Sequence, residues 1–139
     1  MRIHAELRLT SKANADAPRP LRHLLDALLA ALEVADARRA DIVLAVGEVL
    51  ANAVEHAYAN SEIGTVEIAA QSEDDDTLLV EVSDHGRFIE REGTPGRGFG
   101  LRIVRNIARD VVVARSEGTR IRMTFDLRED PVETAGAQS

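Results

Sequence analysis

The chain contains no cysteine and only two methionines. Disulfides, thiolate metal centres and a cysteine nucleophile are therefore excluded, and the composition suits a reducing compartment. No segment approaches the ~18 apolar residues of a membrane span. The opening MRIHAELRLTSKAN alternates polar and apolar residues and lacks the apolar centre of a signal peptide. These absences predict a soluble, cytoplasmic protein with no membrane partner. Positive charge is also scarce, with 17 Lys and Arg against 24 Asp and Glu and a formal net charge of −7. Direct nucleic-acid binding, which relies on Lys and Arg releasing counterions from phosphates, is disfavoured. No internal repeat is visible, and 139 residues suffice for one domain with a single substantial core.

The charge that is present is unevenly placed. No Lys or Arg occurs between Ala40 and Gly86, whereas Arg87 to Arg128 holds most of the arginines and no lysine. Arginine suits forked recognition of carboxylates and phosphates, although GC-rich coding gives the same bias.

The cation-free interval contains the stretch DIVLAVGEVLANAVEHAYAN. Ile42, Val43, Val46, Val49, Leu50, Ala53, Val54 and Ala57 recur at helical spacing. Asp41, Glu48, Asn52 and Glu55 share a stripe of that helix, with His56 at its edge. A carboxylate and a carboxamide one turn apart are hard oxygen ligands of the kind Mg²⁺ uses when phosphates complete its shell. A solvated acidic face is the commoner meaning of such a stripe, but Asn52 fits that explanation poorly because Asn is normally found at caps and turns. No cation from this stretch can form the usual i,i+4 pair with these acids.

Around this helix the periodicities give an order of elements. Ile3 to Leu9 alternates as a strand, and Thr10 to Asp16 reads as a polar loop. Pro18 and Pro20 suit the first turn of a helix reaching about Val34, and Asp36 is a candidate N-cap for the central helix, which runs to about Ala59. From Thr65 the period becomes two, and Leu78 to Val82 returns as the second arm of a hairpin. His85 to Gly96 carries no periodicity and reads as a mobile loop. A short helix to about Arg109 follows, then strands at Val111 to Ala114 and Ile121 to Leu127 around a turn at Glu117-Gly118-Thr119. The fold class is α+β, a two-layer α/β sandwich with a mixed, mainly antiparallel sheet and helices on one face. Residues 1–128 form the domain and 129–139 a disordered tail.

Three further constellations stand out. Ser83-Asp84-His85-Gly86 puts a carboxylate at a strand end ahead of a glycine that lets backbone approach a ligand, although Asp and Gly also simply end strands. Gly96-Arg97-Gly98-Phe99-Gly100 opens a helix, where exposed N–H groups and the dipole make an anion site. It is neither a Walker loop nor a dinucleotide fingerprint, and flexible loops also collect glycine. Arg102, Arg105 and Arg109 lie on one face of the following helix, either solvated or docking an acidic partner.

In sequence order, Glu48-x-x-x-Asn52-x-x-x-His56, Asp84-x-Gly86, Gly96-x-Gly98-x-Gly100 and Gly118-Thr119 resemble the N, G1 and G2 boxes of the GHKL ATPases. GEVLANAVEHAY and GTRIRMTFDL are similar to the anti-sigma-factor serine/threonine kinases of the RsbW and SpoIIAB type. The resemblance covers Ile3 to Leu127 and implies a Bergerat-type ATP-binding fold. It implies that Asn52 holds Mg²⁺ against ATP and that Asp84 accepts the adenine amino group, with Thr119 beside it. His56, Gly86, Gly96, Gly98, Gly100 and Leu101 would complete the nucleotide site, and Glu48 would be the general base. The implied partners are a STAS-fold anti-anti-sigma factor as substrate, a sigma factor held inactive, and a second copy of the chain in a homodimer. Two departures bear on transfer: Phe88 stands where a second G1 glycine is usual, and the Gly86 to Gly96 lid is short. A non-catalytic ATP-binding partner switch is the alternative. The catalytic domain of a sensor histidine kinase is a third reading, set back because no phospho-acceptor helix pair precedes the fold.

Overall fold

Every stretch with a period of two pairs into one sheet. The computed structural model describes residues 4–58, 64–72, 74, 76–84, 97–116 and 118–128, with backbone alone at 56–58, 97–100 and 116. The elements are β1 (Glu6–Lys12), α1 (Pro18–Ala31), α2 (Asp36–Tyr58), β2 (Thr65–Ser72), β3 (Thr77–Asp84), α3 (Arg97–Ile107), β4 (Asp110–Ser116) and β5 (Gly118–Asp126). This is the order the periodicities predict. The sheet runs β1-β2-β3-β5-β4 and is antiparallel at every pairing rather than mixed, because each strand lies beside partners that run against it. β1 continues to Lys12 rather than ending at Leu9, because Thr10 pairs with Glu67 and Lys12 with Thr65. That ladder claims the start of the segment predicted as loop.

Alternation gives the sheet two different faces. Val66, Ile68, Ala70, Leu78, Val80, Val82, Met123 and Phe125 are buried on one. The other carries ion pairs: Arg8 to Glu67 at 3.0 Å, and Arg122 and Arg120 to Glu81 at 3.2 and 3.3 Å. The helices cover the apolar face. α2 lies between α1 and α3 and packs on β2, β3 and β5. Leu21, Leu25 and Leu29 of α1 and Ile42, Val46, Val49 and Leu50 of α2 join the same core. A fully buried Leu, Ile or Phe contributes about 1.5–3 kcal/mol, and an exposed ion pair about 0–1 kcal/mol. The apolar face therefore decides where the helices sit.

The helix ends hold the layer in register. α1 stops at Ala31, short of the predicted Val34. Val34 N–H reaches the Leu29 carbonyl at 3.1 Å and Glu33 N–H that of Ala30 at 3.0 Å, with Glu33 at φ 60°. This is a Schellman-type stop with a non-glycine in the left-handed position. Arg128 donates to the carbonyls of Glu33 and Leu32 at 2.8 and 2.9 Å. Asp36, predicted as a cap, is instead the first residue of α2, and its carboxylate pairs with Arg39 at 3.1 Å. Arg38 is buried, donating through Nε to the Asp126 carbonyl at 2.8 Å and through Nη2 to that of Ile107 at 3.1 Å. One side chain thus joins the start of α2, the end of α3 and the end of β5.

Candidate functional site

β3 extends past the predicted Val82 and ends on Asp84, which pairs with Val66 on one side and Thr119 on the other. Asp84 and Thr119 fall on the helix-covered face and are only 4% and 7% exposed. Gly118, at φ 105°, makes the reversal into β5 that places Thr119 there. The hydroxyl Oγ1 of Thr119 is buried and has no hydrogen-bond partner among the described residues. A buried polar atom left unpaired costs about 1–3 kcal/mol, and such atoms are uncommon enough to point to an external group. A carboxylate that accepts, next to a hydroxyl that can donate or accept, fits the amino edge of a purine. The pair therefore fits a bound adenine.

The polar stripe of α2 separates into different environments. Glu55 is exposed, Asp41 is half-buried with an interaction of its own, and Glu48 and Asn52 are half-buried one turn apart. Glu48 forms no hydrogen bond or ion pair among the described residues and lines an open groove of about 630 Å³ between α1 and α2. Arg22 of α1 lines the same groove, so the fold supplies there a cation that the sequence around Glu48 lacks. Sequence reasoning missed it. The available signal was Gly47, a glycine inside a helix, where it costs about 1 kcal/mol against alanine. Among the described residues no three His, Asp or Glu side chains stand together in a metal-holding group. A cation at Asn52 would take its other ligands from phosphate and water.

α3 begins at Arg97, so Gly98 and Gly100 lie within its first turn and Leu101 follows, half-buried. The first four N–H groups of a helix have no intrahelical partner, and the dipole favours an anion there. Arg38 ties Ile107, the last residue of α3, to the first turn of α2, and the two helices pack along one another. α3 therefore runs back along α2, and its glycine-bearing first turn lies toward the half of α2 that carries Glu48 and Asn52. Gly86, Gly96 and Phe88, and the side chain of His56, lie outside the described residues.

Residues 11–125 match the histidine kinase-like ATPase domain, and the chain belongs to that family. It is 29% identical over 113 residues to the serine-protein kinase RsbW of Staphylococcus epidermidis, covering 69% of this chain and 70% of that one. Against the serine-protein kinase RsbW of Staphylococcus aureus strain JH9 the identity is 27% over 113 residues, 69% of this chain and 70% of that one. Among solved structures, the RsbU and RsbW domains of Rv1364c from Mycobacterium tuberculosis superpose with a TM-score of 0.68 at 27% identity. That match covers 94% of this chain and 35% of the mycobacterial one, so the chain spans about a third of that protein. The histidine kinase domain of the blue-light activated kinase from Erythrobacter litoralis EL346 superposes at 0.54 with 28% identity, over 65% of this chain and 45% of that one. The GHKL resemblance and its α+β sandwich are borne out. No helix among the described residues is long and apolar enough to cross a membrane.

Proposed function

We propose that this chain is an ATP-dependent serine/threonine-protein kinase that also acts as an anti-sigma factor, phosphorylating a STAS-fold anti-anti-sigma protein in a partner-switching system. The observation that carries the nucleotide part is Asp84 paired with Thr119, whose buried Oγ1 has no partner among the described residues. In this reading Asp84 and Thr119 hold the adenine, and Gly98, Gly100 and Leu101 lie near the phosphates, with Gly86, Gly96 and His56 completing the site. Asn52 contributes one ligand to Mg²⁺. ATP supplies the phosphoryl group that is transferred. Glu48 accepts the proton from the substrate hydroxyl, a role suited to a half-buried carboxylate that no described residue already holds. Phosphoryl transfer otherwise needs positioning and charge stabilisation, which the helix N-terminus and the metal provide. The protein works in the cytoplasm, as a homodimer, with a sigma factor as its second partner.

Incubation with labelled ATP, Mg²⁺ and a STAS-domain protein tests the reading, and label on a serine or threonine of that protein is the expected result. A non-catalytic ATP-binding switch is the second reading, favoured by Phe88 at a usual glycine position. It predicts tight ATP binding with no label transferred.

A further inference from the structure

Three elements carry the parts of the nucleotide site. α2 holds Glu48 and Asn52, β5 begins with Gly118 and Thr119, and α3 carries Gly98 and Gly100 in its first turn. All three meet at Arg38. It stands in the first turn of α2, and its bonds end on the carbonyls of Ile107, which closes α3, and Asp126, which closes β5. A guanidinium only 1% exposed is costly to bury, and an apolar side chain would fill the same space without that cost.

The three elements do not depend on this junction equally. β5 is laddered to β3 and β4 along its length, so its register is set without Arg38. α2 is packed between α1, α3 and the sheet. α3 has no ladder. Val104 and Ile107 in its second half are buried, whereas Leu101 and Ile103 are half-buried. Beyond its end, Arg109 N–H donates to the Thr124 carbonyl at 2.8 Å and the Arg109 side chain pairs with Asp126 at 2.7 Å. The helix is thus anchored at the end away from its glycines. With 11 residues it is about 16 Å long, so a tilt of about 10° about the anchored end moves the first turn by roughly 3 Å. That is the length of a hydrogen bond.

We propose that Arg38 is the positioning residue of the phosphate site: from the far end of α3 it sets the angle at which the glycine-bearing first turn faces Asn52 and the triphosphate. The proposal rests on the nucleotide reading above for its ligand. Arg38 touches no part of that ligand, since it stands roughly 21 Å along α2 from Asn52. Asp84 and Thr119 lie on strands held in register by each other, so Arg38 acts on the phosphate part of ATP and leaves the adenine part alone.

The test compares ATP with Mg²⁺ against adenosine, which shares the base and lacks the phosphates. Wild type, Arg38→Met and Arg38→Lys are titrated at a temperature where circular dichroism shows each folded, by calorimetry for ATP and by NMR for adenosine. We expect both substitutions to weaken ATP by about tenfold or more and adenosine by less than about twofold. Lost stability alone would scale both affinities by one factor, the folded fraction. Nucleotide-free samples give a second readout. Amide exchange at Leu101 to Ile107 should quicken in both variants relative to β1 and β2. If Arg38→Met does not fold, Arg38→Lys carries the comparison, and the wild type alone must show Val104 to Ile107 exchanging more slowly than Leu101 to Ile103.

Equal loss of ATP and adenosine, loss of neither, or α3 exchange that both substitutions leave unchanged overturns the proposal. Wild-type protein that binds neither ligand removes the nucleotide reading and this proposal with it. Wild type that binds both, with variants that keep its ratio of ATP to adenosine affinity, removes the proposal alone.

Discussion

Arg38 in the first turn of α2 donates to the carbonyl of Ile107, the last residue of α3, at 3.1 Å, across 69 positions of sequence. The same guanidinium reaches the Asp126 carbonyl at 2.8 Å. The closing carbonyls of a helix lack intrahelical donors, so this arginine caps α3 from outside while fixing its angle to α2.

Arg38→Met should remove both donors and leave buried carbonyls unpaired, at about 1–3 kcal/mol each. Arg38→Lys should recover little, because a single ammonium cannot reproduce the two-armed fork. Urea denaturation of the three proteins measures this, with a lowered midpoint in both variants as the expected outcome.

Thr119→Val keeps the shape of the side chain and removes a hydroxyl that has no partner among the described residues. The free protein should become more stable by about 1 kcal/mol, while ATP binding weakens. Asp84→Asn should weaken ATP binding by about 1–3 kcal/mol and narrow the preference for ATP over GTP. Calorimetry and thermal melting on the same samples separate the two effects. A Thr119→Val protein that binds ATP as tightly as wild type would take Thr119 out of the site.

Glu48→Gln should leave ATP affinity nearly unchanged and slow transfer by about 10²-fold or more. Asn52→Ala should do the opposite at the binding stage, losing the Mg²⁺-dependent part of ATP affinity, which EDTA should also remove. ATP titration with and without EDTA, followed by single-turnover transfer, distinguishes the two side chains. Affinity that is indifferent to EDTA and to Asn52→Ala would exclude Asn52 as a metal ligand.

Glu33 sits at φ 60° where α1 stops, a conformation that costs a non-glycine about 1–3 kcal/mol. Glu33→Gly should therefore raise stability by about 1 kcal/mol, raising the urea midpoint without changing the slope. A lower midpoint would mean that the gain is outweighed by the greater freedom of glycine in the unfolded chain.

Much of this was legible in the sequence. Local periodicity carries local information, so the eight elements appear in the predicted order. The misplaced edges are those set by distant partners. β1 runs on to Lys12 because Thr65 waits opposite, and α1 ends early at a stop that Arg128 clamps from the far end of the chain. Asp84 and Thr119 could each be named from their motifs, but only the register of β3 on β5 makes them neighbours. Arg38 and Arg22 were not legible at all. Ala-Arg-Arg-Ala at the start of a helix looks solvated, and the carbonyls that bury Arg38 lie 69 and 88 positions away. Arg22 matters only where α1 crosses Gly47, and spacing along either helix does not encode that crossing.

α2 packs against α1 on one side, α3 on the other and the sheet beneath. Glu48 borders the α1 groove, and Asn52 stands one turn along the same rod. A ligand that shifts this helix on the nucleotide side also alters the groove, and the coupling free energy is the same in both directions. A partner that tightens ATP binding by some factor must itself be bound more tightly, by that same factor, when ATP is present. Occupancy of the nucleotide site would then act on the α1 groove through an equilibrium, before any phosphate has moved.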